Sequence, residues 1–350
     1  MVFFPLRVAG FQQLRHSLAP VFQSLFTGHG MQSFFHSNTL LPVCLVLILA
    51  ACGQPGGGPD TASGEAWREF VNADGSVTAI PAKPERILST SVTVTGVLLA
   101  IDAPLAASAA AADGSFFSQW QPVARERDVA KLWPAGEVDL EAAMTLAPDL
   151  IVVSSTGGDS ARHALAELQA IAPTIVVDYS TQSWQSLAAR LGEATGLENR
   201  ARQRIDNFNR YLAEARDRLE PPPGKVNVVS YHGPGISNPI ATNAGVHGKL
   251  LKALGFTLEE PDPAWHSPGW GERKDFVRAQ YEHLTLLKAP TTFLTRKTDD
   301  QVSDFLNDPV LANLPSVQTG QVYGLGANSF RIDYYSSLEI IDGMLARFGR

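Results

Sequence analysis

From residue 87 onward the chain alternates short, unbroken apolar runs with amphipathic stretches. Ile87-Leu88, Leu150-Ile151-Val152-Val153 and Thr174-Ile175-Val176-Val177 carry no polar alternation. Such runs predict strands buried on both faces, because a sheet covered by helices on both sides has no wet face. The order reads strand 87–90, small-residue helix 94–100, strand 105–109, a long loop from 110 to about 135, helix 140–146, strand 150–153, helix 161–170 and strand 174–177. Helix, Ala-Pro break and apolar strand occur twice in succession, the grammar of a parallel sheet. Ahead of this, residues 67–81 alternate apolar and polar side chains around Asp74-Gly75, predicting an edge hairpin.

The longest helical stretch covers residues 183–219, where Leu187, Leu191, Ile205, Phe208, Leu212 and Leu219 recur at helical spacing and Gly196 interrupts. Pro221-Pro222-Pro223-Gly224 ends it. The pattern then restarts with strand 226–231, helices 246–254 and 279–287, strands 292–295 and 322–325, and helix 335–348. These elements predict an α/β fold of two lobes, 67–182 and 221–350, joined by a connecting helix over 183–220.

A different apolar run precedes all of this. Residues 41–52 end in Leu49-Ala50-Ala51-Cys52. The run is shorter than the ~20 residues a stable spanning helix needs and matches the apolar core and cleavage site of a secretory signal. A cysteine directly after the small pair resembles the lipobox of bacterial lipoproteins, in which that thiol is acylated and becomes the first mature residue. Gly53-Gln54-Pro55-Gly56-Gly57-Gly58-Pro59 reads as a flexible tether. The expected organisation is therefore a signal over 1–51, a tether over 52–66, and an exported chain anchored to a membrane through Cys52. A start at Met31 would leave that signal without Arg7 and Arg15.

Charge narrows the partners. The sequence has 28 basic and 35 acidic side chains. Removing residues 1–51, with Arg7, Arg15 and no acid, leaves 26 against 35, a net charge of −9. An acidic body argues against nonspecific nucleic-acid binding. Only Cys44 and Cys52 occur; the first leaves with the signal and the second carries lipid, so no disulfide is expected.

Enzyme signatures are missing. There is no Gly-x-Ser-x-Gly elbow. Gly324-Leu325-Gly326-Ala327-Asn328-Ser329 lacks the third glycine of a dinucleotide loop, and Gly245-Val246-His247-Gly248-Lys249-Leu250 lacks Walker spacing. His163, His232, His247, His266 and His283 form no metal-ligand pair at short spacing. The expectation is a non-enzyme with no cofactor and no protein-bound metal.

Several segments resemble the ferric-siderophore binding proteins of ABC importers, and among these the catecholate (ferric-enterobactin) binders. They are Lys83-Pro84-Glu85-Arg86-Ile87-Leu88-Ser89-Thr90-Ser91-Val92-Thr93, Gln119-Trp120, Ala124-Arg125-Glu126-Arg127, Pro148-Asp149-Leu150-Ile151, Thr156-Gly157-Gly158-Asp159-Ser160-Ala161, Ser183-Trp184-Gln185-Ser186-Leu187, Gln321-Val322-Tyr323, Phe330-Arg331 and Asp333-Tyr334-Tyr335-Ser336. The resemblance runs from about Lys83 to the C-terminus and is loose between His232 and Lys274. It implies two Rossmann-like lobes bridged by a long rigid helix (the class III, helical-backbone type of periplasmic binding protein), an interlobe ligand cleft and little lobe closure.

A hexadentate catecholate already encloses Fe³⁺ and is a trianion, so its binder needs cations for the oxygens and aromatic faces for the rings rather than metal ligands of its own. Arginine serves both ends. Arg127 and Arg331 are the leading candidates, expected from opposite lobes on one opening. Arg125, Lys131, Arg273 and Lys274 are second-rank cations. Trp120, Trp265, Trp270, Tyr231 and Phe330 are the aromatic candidates. The resemblance further implies an ABC permease and its ATPase as partners, met through Glu141 on one lobe and Glu282 on the other, with the chain acting as a monomer. The same fold could instead carry haem, cobalamin or a hydroxamate siderophore; Tyr231-His232 would then offer an axial haem ligand.

Overall fold

The unbroken apolar runs at 87–88, 150–153 and 174–177 become strands with both faces covered. The computed structural model describes residues 66–180, 182–268 and 274–350. It opens with the antiparallel hairpin β1 (Arg68–Val71) and β2 (Val77–Ile80), whose turn carries Gly75 at φ +84°.

The first lobe is built on β3 (Ile87–Ser89), β4 (Leu105–Ser108), β5 (Ala130–Lys131), β6 (Leu150–Ser154) and β7 (Thr174–Val177). These form one sheet in the order β5-β4-β3-β6-β7 with every neighbouring pair parallel. Its helices are α1 (Val92–Ala100), α2 (Gln121–Glu126), α3 (Leu140–Leu146), α4 (Leu165–Ile171) and α5 (Trp184–Thr195). Eight of the nine residues of α1 are buried, as an all-apolar helix requires, and Ser91 caps it by accepting from the Val94 N–H. Gly196, at φ +68°, ends α5 in the left-handed conformation that suits glycine.

Then comes α6 (Glu198–Arg218), whose 21 residues span about 30 Å. Because α5 packs on α1 and β1, it belongs to the first lobe, and α6 alone makes the traverse to meet α7 (Val246–Ala253). The second lobe holds β8 (Val226–Val229), β9 (Asn238–Ala241), β10 (Phe276–Ala279), β11 (Thr291–Leu294) and β12 (Val322–Gly324), in the order β10-β9-β8-β11-β12. Here β9 runs antiparallel to both neighbours, so this sheet is mixed. Two one-turn helices, α8 (Ser303–Leu306) and α9 (Pro315–Gln318), precede β12. The last helix, α10 (Tyr334–Phe348), returns to pack on α1 and α6, a second tie between the lobes.

The structure departs from the sequence pattern at identifiable places. The expected 110–135 loop contains α2 and β5. The helix expected over 279–287 is the end of β10 followed by a 3-10 segment, Tyr281–Leu286, and β9 was not expected at all.

Asn72 joins the hairpin to the first sheet. Its Oδ1 accepts from the Val176 N–H at 2.8 Å, its Nδ2 donates to Thr78 Oγ1 at 2.8 Å, and the Ala73 N–H donates to Val176 O at 2.8 Å. Asn72→Ala leaves a buried N–H without its acceptor and should cost about 1–3 kcal/mol in urea unfolding.

Candidate functional site

In each lobe the chain begins in the middle of its sheet, runs outward to one edge, and crosses back to build the other side. A crevice forms at such a reversal, outside the carboxyl ends of the two strands that flank it. The flanking pairs are β3 and β6 in the first lobe and β8 and β11 in the second. Val92 and Thr93 lie beyond β3, Gly158 and Asp159 beyond β6, and Arg296 beyond β11. With Asp113, Phe117 and Gln119 and the return segment Ala327, Asn328, Phe330 and Arg331, they line an interlobe cavity of about 670 Å³. A smaller cavity of about 90 Å³ lies behind it, sharing Thr93, Phe330 and Arg331 and adding Tyr179, His247, Asp275 and Arg278.

Asp159 organises the first-lobe wall. It accepts from Ser91 Oγ at 2.6 Å, the Thr93 N–H at 3.0 Å and Tyr179 Oη at 2.7 Å. Burial pushes its carboxyl up, but these donors outweigh it and the net shift is downward. The same carboxylate sits at the amino end of α1, where negative charge is favoured. Gly157, at φ +95°, is required here, since a Cβ would fall 1.7 Å from Tyr179 Oη. Burial and the Asp159 charge push the Tyr179 phenol up, so it stays a donor.

The opposite wall is cationic. Arg296 lies 3.9 Å from the Phe330 ring centroid and Arg331 lies 5.4 Å from it, while Arg331 also lies 5.7 Å from the Tyr179 ring. Phe330 is itself stacked on Phe276, centroids 5.8 Å apart. Desolvation and then the Arg331 charge lower the Arg296 pKa. His232 is lowered by burial and by Arg296, Arg278 and Lys297, which marks the basic character of this edge. Among the described residues, Arg296 and Arg331 are the cations lining the larger cavity.

The family model for the periplasmic binding proteins matches residues 87–329, a span that carries both sheets and all of the larger cavity's lining except Phe330 and Arg331. The chain belongs to the periplasmic binding protein family. It is 38% identical over 322 residues to the ferric enterobactin-binding periplasmic protein FepB of Escherichia coli O6:H1, covering 89% of this chain and 98% of that protein. The crystal structure of holo-ViuP is 58% identical, with a TM-score of 0.79 over 81% of this chain and 96% of that one. Staphylococcus aureus SirA complexed with staphyloferrin B is 20% identical, with a TM-score of 0.63 over 80% and 97%, a likeness of fold alone.

Of the residues singled out from sequence, Arg331 and Phe330 line the cavity. Arg127 does not join them there, contrary to expectation. Its guanidinium is at the far end of α1, donating to Leu99 O at 3.0 Å and pairing with Asp102 at 2.5 Å, and Asp102 also holds Arg200 and Arg204. Leu99 O lies in the last turn of α1, so Arg127 adds a second donor to the carboxyl end of that helix. Arg125 and Lys131 are exposed and line neither cavity; Lys131 lies 6.0 Å from the Phe116 ring.

Trp120 is fully buried between Phe116 and Phe117 and is a core side chain. Trp265 stacks on His283 at 5.5 Å, away from both cavities. Tyr231 packs on Phe305 and donates to Asp308 at 2.5 Å, which occupies the hydroxyl a haem iron would need. Lys274 has an exposed side chain and gives its carbonyl to Thr242 Oγ1. Glu141 and Glu282 are exposed, in the first turns of α3 and of the 281–286 segment. Cys52, Trp270 and Arg273 lie outside the described residues. Among the described residues no group of three or more His, Cys, Asp or Glu is placed to hold a metal ion.

Arg296, Asp159, Tyr179 and Gln119 were not singled out by side-chain type. The signal that could have found Arg296 is its place just beyond a fully buried strand at the reversal of its sheet.

Asp333 closes the site from below. It caps α10, accepting from the Ser336 N–H at 2.9 Å, and takes Gln119 Nε2 from the first lobe at 3.2 Å. Burial raises its pKa from 3.8 to about 6 despite those donors. The native state therefore holds this proton more tightly than the unfolded chain. The contribution to stability is fullest below 3.8 and is lost as pH rises through about 6. Asp333→Asn keeps the cap without the charge. Urea midpoints measured between pH about 5 and about 7.5 should show wild type losing ground to this variant as pH rises.

Proposed function

We propose that this chain is the substrate-binding component of an ABC importer and carries a ferric catecholate siderophore in the interlobe cavity. The observation that supports this most directly is the pair Arg296 and Arg331, both against the Phe330 ring, in an open cavity. Catecholate oxygens around Fe³⁺ carry the negative charge, and guanidinium groups donate to them in a plane. Phe117 adds an aromatic ring for the catechols, and Thr93, Gln119 and Asn328 supply neutral hydrogen-bonding groups on the same lining. Iron held by six siderophore oxygens asks nothing of protein ligands. The haem reading is disfavoured, because the Tyr231 hydroxyl is spent on Asp308.

In the same reading residues 1–51 direct export, residues 52–66 tether the body, and acylated Cys52 holds it at a membrane. Exposed Glu141 and Glu282, one on each lobe, are suited to meet cations of the permease. The binder works as a monomer.

The test is a titration of the mature chain with ferric enterobactin and with haem, followed by tryptophan fluorescence. Ferric enterobactin should bind, Arg296→Ala and Arg331→Ala should each weaken it about tenfold or more, and Arg127→Ala should leave affinity unchanged while lowering stability. Tight haem binding without ferric enterobactin binding, or insensitivity to both cleft arginines, defeats the proposal. For the anchor, Cys52→Ser should move the protein from the membrane to the soluble fraction of fractionated cells.

A further inference from the structure

The two cleft arginines come from separate segments, yet one buried residue bonds the backbone of Arg296 and stands two positions before Arg331. Ser329, 1% exposed, accepts the Arg296 N–H on its Oγ at 3.1 Å and donates that hydroxyl to Gly326 O at 2.6 Å. It immediately precedes Phe330-Arg331, and its carbonyl takes a 2.6 Å hydrogen bond from Nε2 of His247. We propose that His247, acting through Ser329, is the positioning residue that fixes Arg296 and Arg331 in ligand-ready geometry.

Four observations carry this. A carbonyl can only accept, so Nε2 must bear the proton and donate to Ser329 O. Among the described residues Nδ1 has no partner, so Ser329 is the ring's sole hydrogen-bonding anchor. The ring packs edge-on against Phe276 at 5.0 Å, and Phe276 is the side chain on which Phe330 stacks, so one histidine braces the arginine segment through both a carbonyl and a ring.

The fourth is that the start of α7, which carries His247, is packed closely against backbone. A Cβ on Gly245 would fall 2.6 Å from Asp275 O, and one on Gly248 2.3 Å from Thr242 O. These glycines let α7 press directly onto backbone on either side of His247. The Gly-Val-His-Gly run, which has no phosphate-loop spacing, thus has a mechanical reason for its composition. Burial lowers the His247 pKa to about 4, with the Ser329 carbonyl and Asp275 pulling back and Arg331 adding to the fall, so the ring stays neutral at ordinary pH.

Arg296 needs such support. It is a non-glycine residue at φ +58°, a conformation that persists only where its surroundings enforce it. Sites whose side chains are misplaced by even ~1 Å lose much of their function, so the brace is worth testing as part of the binding apparatus.

The experiment uses the mature chain and three variants. His247→Gln keeps an N–H at similar reach, His247→Leu removes it, and Ser329→Ala removes the link to Arg296. The first readout needs no ligand: the guanidinium Nε–H signals of Arg296 and Arg331 in nitrogen–proton spectra. Both should shift in His247→Leu, at least that of Arg296 in Ser329→Ala, and neither appreciably in His247→Gln. The second rests on the siderophore reading. Ferric enterobactin affinity should fall about tenfold in His247→Leu, with a flatter salt dependence, and recover to within about threefold in His247→Gln. The inference is overturned if both signals stay in place in His247→Leu and Ser329→Ala, or if Gln shifts them as much as Leu does. If wild type takes no ferric enterobactin, the cargo assignment fails while the arginine signals still decide the brace.

Discussion

Two like charges held against one ring are the constraint on which this cleft depends. The Arg296 and Arg331 guanidinium carbons lie 3.9 and 5.4 Å from the Phe330 centroid. At that proximity, with an effective dielectric near 20, their repulsion is about 2 kcal/mol or more. The ring returns part of that, since each cation–π contact is worth about 0.5–2 kcal/mol. Left-handed backbone at Arg296 adds a further cost of order 1–3 kcal/mol. Against these costs the two arginines are held by the hydrogen bonds of Ser329 and the close packing of α7. An anionic ligand relieves the repulsion, and it meets donors already in place, so little of its binding energy goes into ordering them.

Most of the first lobe was legible because β6 and β7 are short unbroken apolar runs that each follow an Ala-Pro break, a pattern that suits a doubly covered sheet. The second lobe was less so. Pro239 lies in β9 and cannot donate to a ladder, and proline inside a run reads as evidence against a strand. Phe276-Val277-Arg278-Ala279 is too short and too polar to announce β10, so its end was absorbed into a helix whose residues form only a 3-10 segment. In both cases tertiary pairing overrode local preference.

The site was legible at Phe330-Arg331 and not at Arg127, and the reason lies in what a matching segment can convey. A resemblance places the backbone of α2 but says nothing of where a long, flexible guanidinium ends. Arg127 had Leu99 O at the carboxyl end of α1 and Asp102 within reach, and both compete for a donor. Arg296 stands in Thr295-Arg296-Lys297 with no composition signal. Only the strand order, which the sequence does not declare, turns its position into a binding position. Trp120 followed the same logic in reverse: a large ring in a predicted loop became core once α2 folded around it.

The long-range field and the local one oppose each other, and the fold reconciles them. An acidic body repels an anionic ligand at distance, yet salt screens charges beyond about 8–10 Å, so in physiological salt the approaching ligand meets the cleft rather than the whole chain. Near the mouth the acids are mostly engaged: Asp159 by three donors, Asp333 by Ser336 and Gln119, Asp113 by Ser115. A carboxylate whose lone pairs are met by N–H and O–H groups projects a weaker field than a bare one. Among the described residues, Arg296 and Arg331 have no carboxylate paired to their guanidinium groups, so their charge is available to the open space. With α6 and α10 both tying the lobes, the geometry of that space is set by the fold itself, and selectivity follows from charge placement more than from closure.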